Sequence, residues 1–106
     1  MVKTLTIFSL RPGADPNIAL KHWGESHMPW IRKLPGLEKY VINWVVEPVR
    51  GENFYGMAEL WYKDMETARS TMRNLVTSNP DPFAKLLYHV TVVIVDEAEI
   101  QVEPAS

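Results

Sequence analysis

The sequence predicts an α+β domain of ferredoxin-like βαββαβ order, a four-stranded antiparallel sheet with helices on one face. Three observations lead to this prediction. Runs rich in β-branched and aromatic residues lack breakers, helical periodicities follow Asp start signals, and Pro/Gly turns separate the two kinds of segment. A chain of 106 residues has no room for a second core, so we expect a single domain over residues 1–106.

The first strand and the start of the first helix can both be predicted from local sequence signals. Val2–Leu10 contains β-branched and aromatic residues and no glycine or proline. After a turn at Arg11-Pro12-Gly13, Asp15 is a good N-cap and Pro16 suits the first helical position. We expect a helix from Pro16 to about Lys33, whose inward face holds Ile18, Leu20, Trp23, His27, Trp30, Ile31 and Leu34.

Pro29 lies within this helix and removes one backbone donor, which predicts a kink or an early end close to His27. A bend at that point exposes carbonyl groups and opens space in which a ligand could be held. Tight packing could also absorb the bend.

Two strands, a helix and a last strand complete the predicted fold. The expected strands are Tyr40–Val46, Gly56–Tyr62 and Tyr88–Val95, and the helix follows Asp64 and stops at Ser78-Asn79-Pro80. A short turn from Asp81-Pro82 to Leu87 leads into the last strand.

The second and fourth strands are apolar on both faces, whereas a sheet with one solvated face alternates apolar and polar residues. The helices suffice to cover only one face. We therefore expect the other face to pack against a second copy, sheet to sheet, in a homodimer. A carboxylate within a strand needs pairing, so Glu59 is either at this contact, bonded to a partner, or part of a site. We favour the interface, because Glu59 shares that face with Trp61.

Composition excludes several classes of function. A formal net charge of −2 with scattered Lys and Arg argues against nucleic acid as a partner. The absence of cysteine excludes disulfides, thiolate catalysis and Cys-based zinc sites. Polar residues within the first ten positions fit neither a signal peptide nor a membrane span, so we expect no membrane partner and a cytoplasmic location.

No metal site is expected from the three histidines. His22 and His27 are five residues apart, about 140° around a helix, and so cannot chelate one ion as an i, i+4 pair does. Neither a calcium loop nor a phosphate-binding glycine loop is present in the sequence.

His27 is the main candidate for chemistry, because its ordinary pKa lies near cellular pH. It can equally be a buried structural imidazole. Trp23 and Trp30 flank it at helical intervals and would line a pocket beside it, though both could be plain core residues. Tyr40 opens the second strand as a second candidate, and it can equally be a core aromatic with its hydroxyl at the surface. His89 opens the last strand and could approach the pocket mouth, but we favour a solvent-facing strand end.

The ordered motifs resemble those of the EthD family. The similarity is carried by the segment from Trp23 through His27 and Pro29, by Leu34-Pro35-Gly36-Leu37 and Tyr40, and by Gly56-Met57-Ala58-Glu59-Leu60-Trp61-Tyr62 followed by Asp64. It covers roughly residues 2 to 97. The resemblance implies the dimeric α+β barrel, in which two ferredoxin-like sheets close against each other.

The same resemblance bears on chemistry. Methylmuconolactone isomerases are similar in this region, and their catalytic His and Tyr match His27 and Tyr40. The haem-degrading branch of the superfamily needs a Trp followed about ten residues later by a His. The residue ten positions after Trp61 is Thr71, so haem chemistry is not expected.

Two functions remain open from the sequence. The first is an enzyme without cofactor, in which His27 and Tyr40 act on a small hydrophobic carbonyl or phenolic metabolite as an isomerase, cyclase or monooxygenase. Trp23, Trp30 and His89 would then contact the substrate. The alternative is a non-catalytic ligand-binding or accessory protein of a catabolic gene cluster. A third possibility, a dimeric scaffold with a filled core, binds no ligand.

Overall fold

The computed structural model describes residues 1–77 and 81–105 and confirms the predicted α+β fold. The antiparallel sheet has the order β2-β3-β1-β4, so β2 and β4 are its edges. The strands are β1 (Val2–Leu10), β2 (Leu37–Trp44), β3 (Gly56–Tyr62) and β4 (Leu87–Asp96). The helical segments are α1 (Pro16–His22), a π-helical segment (Trp23–His27), α2 (Met28–Ile31), α3 (Met65–Thr77) and a 3₁₀ turn (Ala84–Leu86). The predicted stop at Ser78-Asn79-Pro80 lies outside the described residues.

The first helix is interrupted by its π-helical segment, which is the disturbance that Pro29 predicted. Pro29 has no N–H to donate to the carbonyl of Glu25, so an ordinary α-helical turn cannot close there. The N–H of Met28 donates instead to the carbonyl of Trp23, five residues earlier. Such segments are rare and frequently lie at functional sites. The interruption falls on the residues from Trp23 to His27 that the sequence marked as candidates.

The expected inward face of this helix is wrong at its start. Ile18 and Leu20 are 50% and 47% exposed, whereas Ala19 between them is completely buried. Ala19 belongs to the core, and successive helix positions point about 100° apart, so its two larger neighbours are turned away from the core. Further along, Ile31 is buried as predicted.

The two faces of the sheet differ in their chemistry. The inner face, under the helices, supplies Phe8, Ala58, Leu60 and Tyr62 to a core that Phe83 completes. The outer face carries a polar group of side chains, which we call the outer-face cluster: Lys3, Asn43, Glu59, Trp61 and Glu97.

Ion pairs hold the outer-face cluster together. Lys3 Nζ lies 2.8 Å from a carboxylate oxygen of both Glu59 and Glu97, and its hydrogen bonds lower the pKa of both carboxyl groups. Asn43 also donates to Glu59, at 2.9 Å. The prediction that Glu59 needs a bond to a partner chain is therefore wrong, because Lys3 and Asn43 satisfy its carboxylate within the chain.

A tight loop returns the chain from α2 to the sheet. Gly36 has a φ of 75°, a conformation that glycine adopts without steric cost, and a Cβ added there would collide with the methyl group of Thr67 on α3. The loop that follows α2 therefore packs directly against α3.

β4 is an edge strand that the helices leave uncovered. On its inner face, Val90 and Val92 are 50% and 44% exposed. The sheet therefore extends beyond its helical cover, and the space under the helices opens toward β4. No helix among the described residues is long and apolar enough to span a membrane.

Candidate functional site

A cavity of about 640 Å³ lies between the helical layer and the inner face of the sheet. Its volume falls within the range of about 300–1,000 Å³ that is usual for small-molecule sites. His27, Tyr40, Trp23 and Trp30 all line it, together with Asp81. Most of the remaining wall is apolar and includes Phe8, Ile31, Ile42, Leu60, Phe83 and Val92.

His27 is held by a carboxylate. Its Nδ1 lies 2.7 Å from Oδ2 of Asp81, and both side chains are about four-fifths buried, with exposures of 20% and 17%. A carboxylate only accepts hydrogen bonds, so Nδ1 must carry the proton in this pair. In the neutral imidazole Nε2 is then unprotonated and available as a base or an acceptor.

The backbone fixes Asp81 in turn. Its other oxygen, Oδ1, accepts a 2.8 Å hydrogen bond from the N–H of Ala84, at the start of the 3₁₀ turn. Aromatic rings enclose the imidazole as well, with Phe83 at 5.0 Å and Trp30 at 5.9 Å between ring centroids. The ring of His27 is therefore oriented by one carboxylate and two aromatic neighbours.

Tyr40 and Trp23 form a second polar pair in the same cavity. Trp23 Nε1 donates to the Tyr40 hydroxyl oxygen at 3.1 Å, and the Trp23 ring packs against Trp44. Burial, and to a lesser extent the charge of Asp81, raises the pKa of Tyr40, and the Trp23 bond opposes this rise. The hydroxyl therefore keeps its proton at neutral pH.

His89 stands apart from the other candidates. It is exposed, its φ is 52°, and it falls where the β1–β4 register shifts between Ile7 and Ser9, as in a β-bulge. Its ring stacks edge-on against Tyr88 and is not part of the cavity wall. The structure thus brings four of the five sequence candidates together.

Asp81 is the site residue that sequence reasoning missed. Asp81-Pro82 repeats the Asp-Pro pattern of Asp15-Pro16, and we interpreted it only as the start of a turn. A carboxylate that caps a short turn next to an apolar run was the available signal. Its pairing with a histidine 54 positions away could not be inferred from spacing.

A second depression, of about 650 Å³, lies between the end of α2 and α3 and shares Trp30 and Leu75 with the cavity. Most of its lining residues are polar, and neither His27 nor Tyr40 is among them. Within the described ranges, no three His, Cys, Asp or Glu side chains converge as a metal centre requires. The cavity is therefore the candidate site.

No family model and no curated protein matches the chain. Among solved structures, it is similar to an EthD family protein of Bacillus halodurans at 28% identity. The match covers 92% of this chain and 100% of that one, with a TM-score of 0.64.

Two further structures are similar at much lower identity, which shows the fold alone. A dimeric protein with ferredoxin-like fold from Bacteroides fragilis is 12% identical over 91% of this chain and 95% of that chain, with a TM-score of 0.58. A haem degrader of Mycobacterium tuberculosis, with two haems bound in its active site, is 14% identical over 97% and 100%, with a TM-score of 0.57. The chain is thus a ferredoxin-like α+β protein similar to an EthD family protein over nearly its whole length, which confirms the resemblance that its motifs predicted.

Proposed function

We propose that the protein is a cofactor-free enzyme that moves a proton next to the carbonyl or phenol group of a small hydrophobic metabolite. One observation carries the proposal. Two hydrogen-bonded pairs, His27 with Asp81 and Trp23 with Tyr40, line one largely apolar cavity. Such a combination supplies a base and a hydrogen-bond donor beside a largely apolar wall.

In this reaction, Nε2 of His27 takes a proton from the carbon next to the carbonyl. Asp81 stabilises the imidazolium that results, because Nδ1 already donates to its carboxylate. The electron pair left by the proton moves onto the carbonyl oxygen, where the hydroxyl of Tyr40 donates a hydrogen bond to the enolate. Return of the proton to another carbon gives isomerisation, and return to the same carbon gives exchange.

We also propose that the protein is a homodimer that associates through the outer face of the sheet. Val93 on β4 is 42% exposed on that face, beside the outer-face cluster. The similar Bacteroides fragilis protein is described as dimeric. Packing of this face against a second copy would remove the exposed apolar surface of Val93 from water, while the carboxylates beside it are already paired within the chain.

Proton exchange into a simple ketone tests the enzyme proposal without knowledge of the natural substrate. Loss of the α-protons of 2-tetralone in D₂O would be followed by NMR for the native protein, for His27→Gln and for His22→Gln. His22 serves as the matched control, because it lies five residues earlier in the same helical layer and outside the cavity wall. We expect His27→Gln to lower the exchange rate by about 10²–10⁴-fold and His22→Gln to leave it unchanged.

Two other results would contradict the proposal. If His27→Gln and His22→Gln exchange the ketone protons at the same rate, His27 does not take part in the reaction. Binding of the ketone to the native protein without any acceleration of exchange would favour the non-catalytic ligand-binding alternative.

A further inference from the structure

The described part of the cavity wall carries no cationic side chain. Apart from Thr6, the side chains with strong polar groups among the described lining residues are His27, Tyr40 and Asp81, and no lysine or arginine is included. The described part of the wall therefore offers an anion no permanent positive charge.

His27 cannot supply the missing charge. Its Nδ1 is already bonded to Asp81, so a protonated imidazole forms a neutral pair with that carboxylate, and a neutral imidazole leaves the pair with one negative charge. A carboxylate that enters the cavity would lose its hydration without gaining a counter-ion, and it would also face the charge of Asp81. An uncharged molecule of the same shape meets neither cost.

The pair formed by Trp23 and Tyr40 determines which polar group the ligand needs. Trp23 occupies a lone pair of the Tyr40 oxygen with its N–H, and an indole N–H cannot accept a hydrogen bond in return. The proton of the Tyr40 hydroxyl is thereby left to point elsewhere. A ligand that satisfies it must carry a hydrogen-bond acceptor, such as the carbonyl oxygen of the proposed substrate.

We infer that the cavity selects uncharged ligands with an acceptor oxygen and rejects carboxylates of the same shape. The inference rests on the proposed function in taking this cavity as the ligand site. It goes further by assigning a charge class to the substrate.

A matched pair of probes tests the inference. Methyl 2-naphthoate and 2-naphthoate have the same rings and a carbonyl oxygen, but only the second is an anion near neutral pH. Affinities would be measured by calorimetry, and NMR shifts of the wall residues would locate the bound ester. We expect the ester to bind at least about tenfold more tightly than the anion.

Added positive charge should reverse the preference. Val92 lines the cavity from the exposed edge strand, so Val92→Lys introduces an ammonium group into the wall at a position that tolerates it. Val90→Lys, also in the wall, is the second variant if the first misfolds. Ile18→Lys adds the same charge on α1, outside the wall, and is the matched control. We expect the wall variants to raise the affinity for 2-naphthoate about tenfold and the control to leave it unchanged.

The possible failures are distinct. If 2-naphthoate binds the native cavity as tightly as the ester, or if Ile18→Lys and Val92→Lys raise its affinity equally, the charge selection is wrong and the proposed site stands. If neither probe shifts the wall residues at any soluble concentration, the cavity is not a ligand site, and the proposed function fails together with the inference.

Discussion

Replacement of Asp81 by asparagine should reverse the tautomer of His27 at a small cost in stability. The carboxylate of Asp81 accepts one bond from the N–H of Ala84 and one from His27 Nδ1. The amide group that replaces this carboxylate offers only one oxygen. If that oxygen keeps the backbone bond, the amide NH₂ faces His27, and Nδ1 must become an acceptor with the proton on Nε2.

The magnitude follows from the two bonds. A hydrogen bond to a charged group contributes about 1.5–3 kcal/mol. We take the lower end because each side chain keeps about a fifth of its exposure. Asp81→Ala removes both bonds and should lower the free energy of unfolding by about 3 kcal/mol. Asp81→Asn keeps one bond and exchanges the other, so we expect a loss of about 1 kcal/mol.

Two measurements check this prediction. Urea unfolding gives the stability, and ¹⁵N NMR of the imidazole nitrogens reports which one carries the proton. Asp15→Asn is the matched control, because Asp15 also caps a helical segment through its carboxylate, which accepts from the N–H of Asn17. If Nδ1 of His27 remains protonated in Asp81→Asn, Asp81 does not set the tautomer and the proposed role of Nε2 as base loses its support.

Three further predictions concern the rest of the fold. The pKa values of the two carboxyl groups in the outer-face cluster are lowered by Lys3, so their contribution to stability is present above the ordinary carboxyl pKa of about 4.3 and is lost as the pH falls through the lowered values. Lys3→Met should therefore flatten the fall in unfolding free energy below about pH 4, and an unchanged pH profile would contradict the ion pairing. Gly36→Ala should lower stability by about 1–3 kcal/mol in urea unfolding, because the residue has a positive φ and its Cβ meets α3. Gly13→Ala has a positive φ without that contact and should lose less. Val93→Lys should weaken dimerisation in sedimentation, whereas Ile18→Lys should not; equal effects would rule out the outer sheet face as the interface.

The fold could be predicted closely because its signals are local. Asp15 with Pro16, the β-branched first strand and the run Gly56–Tyr62 each determine a segment through short-range sterics and hydrogen bonding, and the observed bounds agree. The burial of the first helix was predicted less well. Periodicity treats Ile18 and Leu20 as inward, but the structure buries Ala19 between them, and the choice of the buried face is a tertiary property.

The site could be predicted only in part, for a similar reason. His27, Trp23 and Trp30 lie on one helical layer, so their proximity follows from spacing, and Tyr40 joins them because β2 runs beneath that layer. Asp81 lies 54 positions after His27 in the sequence, and only the packing of the 3₁₀ turn brings its carboxylate to His27. His89 is exposed and outside the cavity wall, as the solvent-facing alternative expected, and it lies where the register of β4 with β1 shifts.

The π-helical segment gives the site a dependence on chain length. A π turn contains about one residue more than the α-helical turn that it replaces. The wide turn takes up that residue, so Trp23 at its start and His27 at its end both face the cavity. Deletion of one residue between them would shorten the chain that separates the Trp23–Tyr40 pair from the His27–Asp81 pair. The distance between the base and the hydroxyl donor therefore depends on the number of residues in this segment. A single insertion or deletion here would change the size of ligand that fits between them, without any substitution of the residues that contact the ligand.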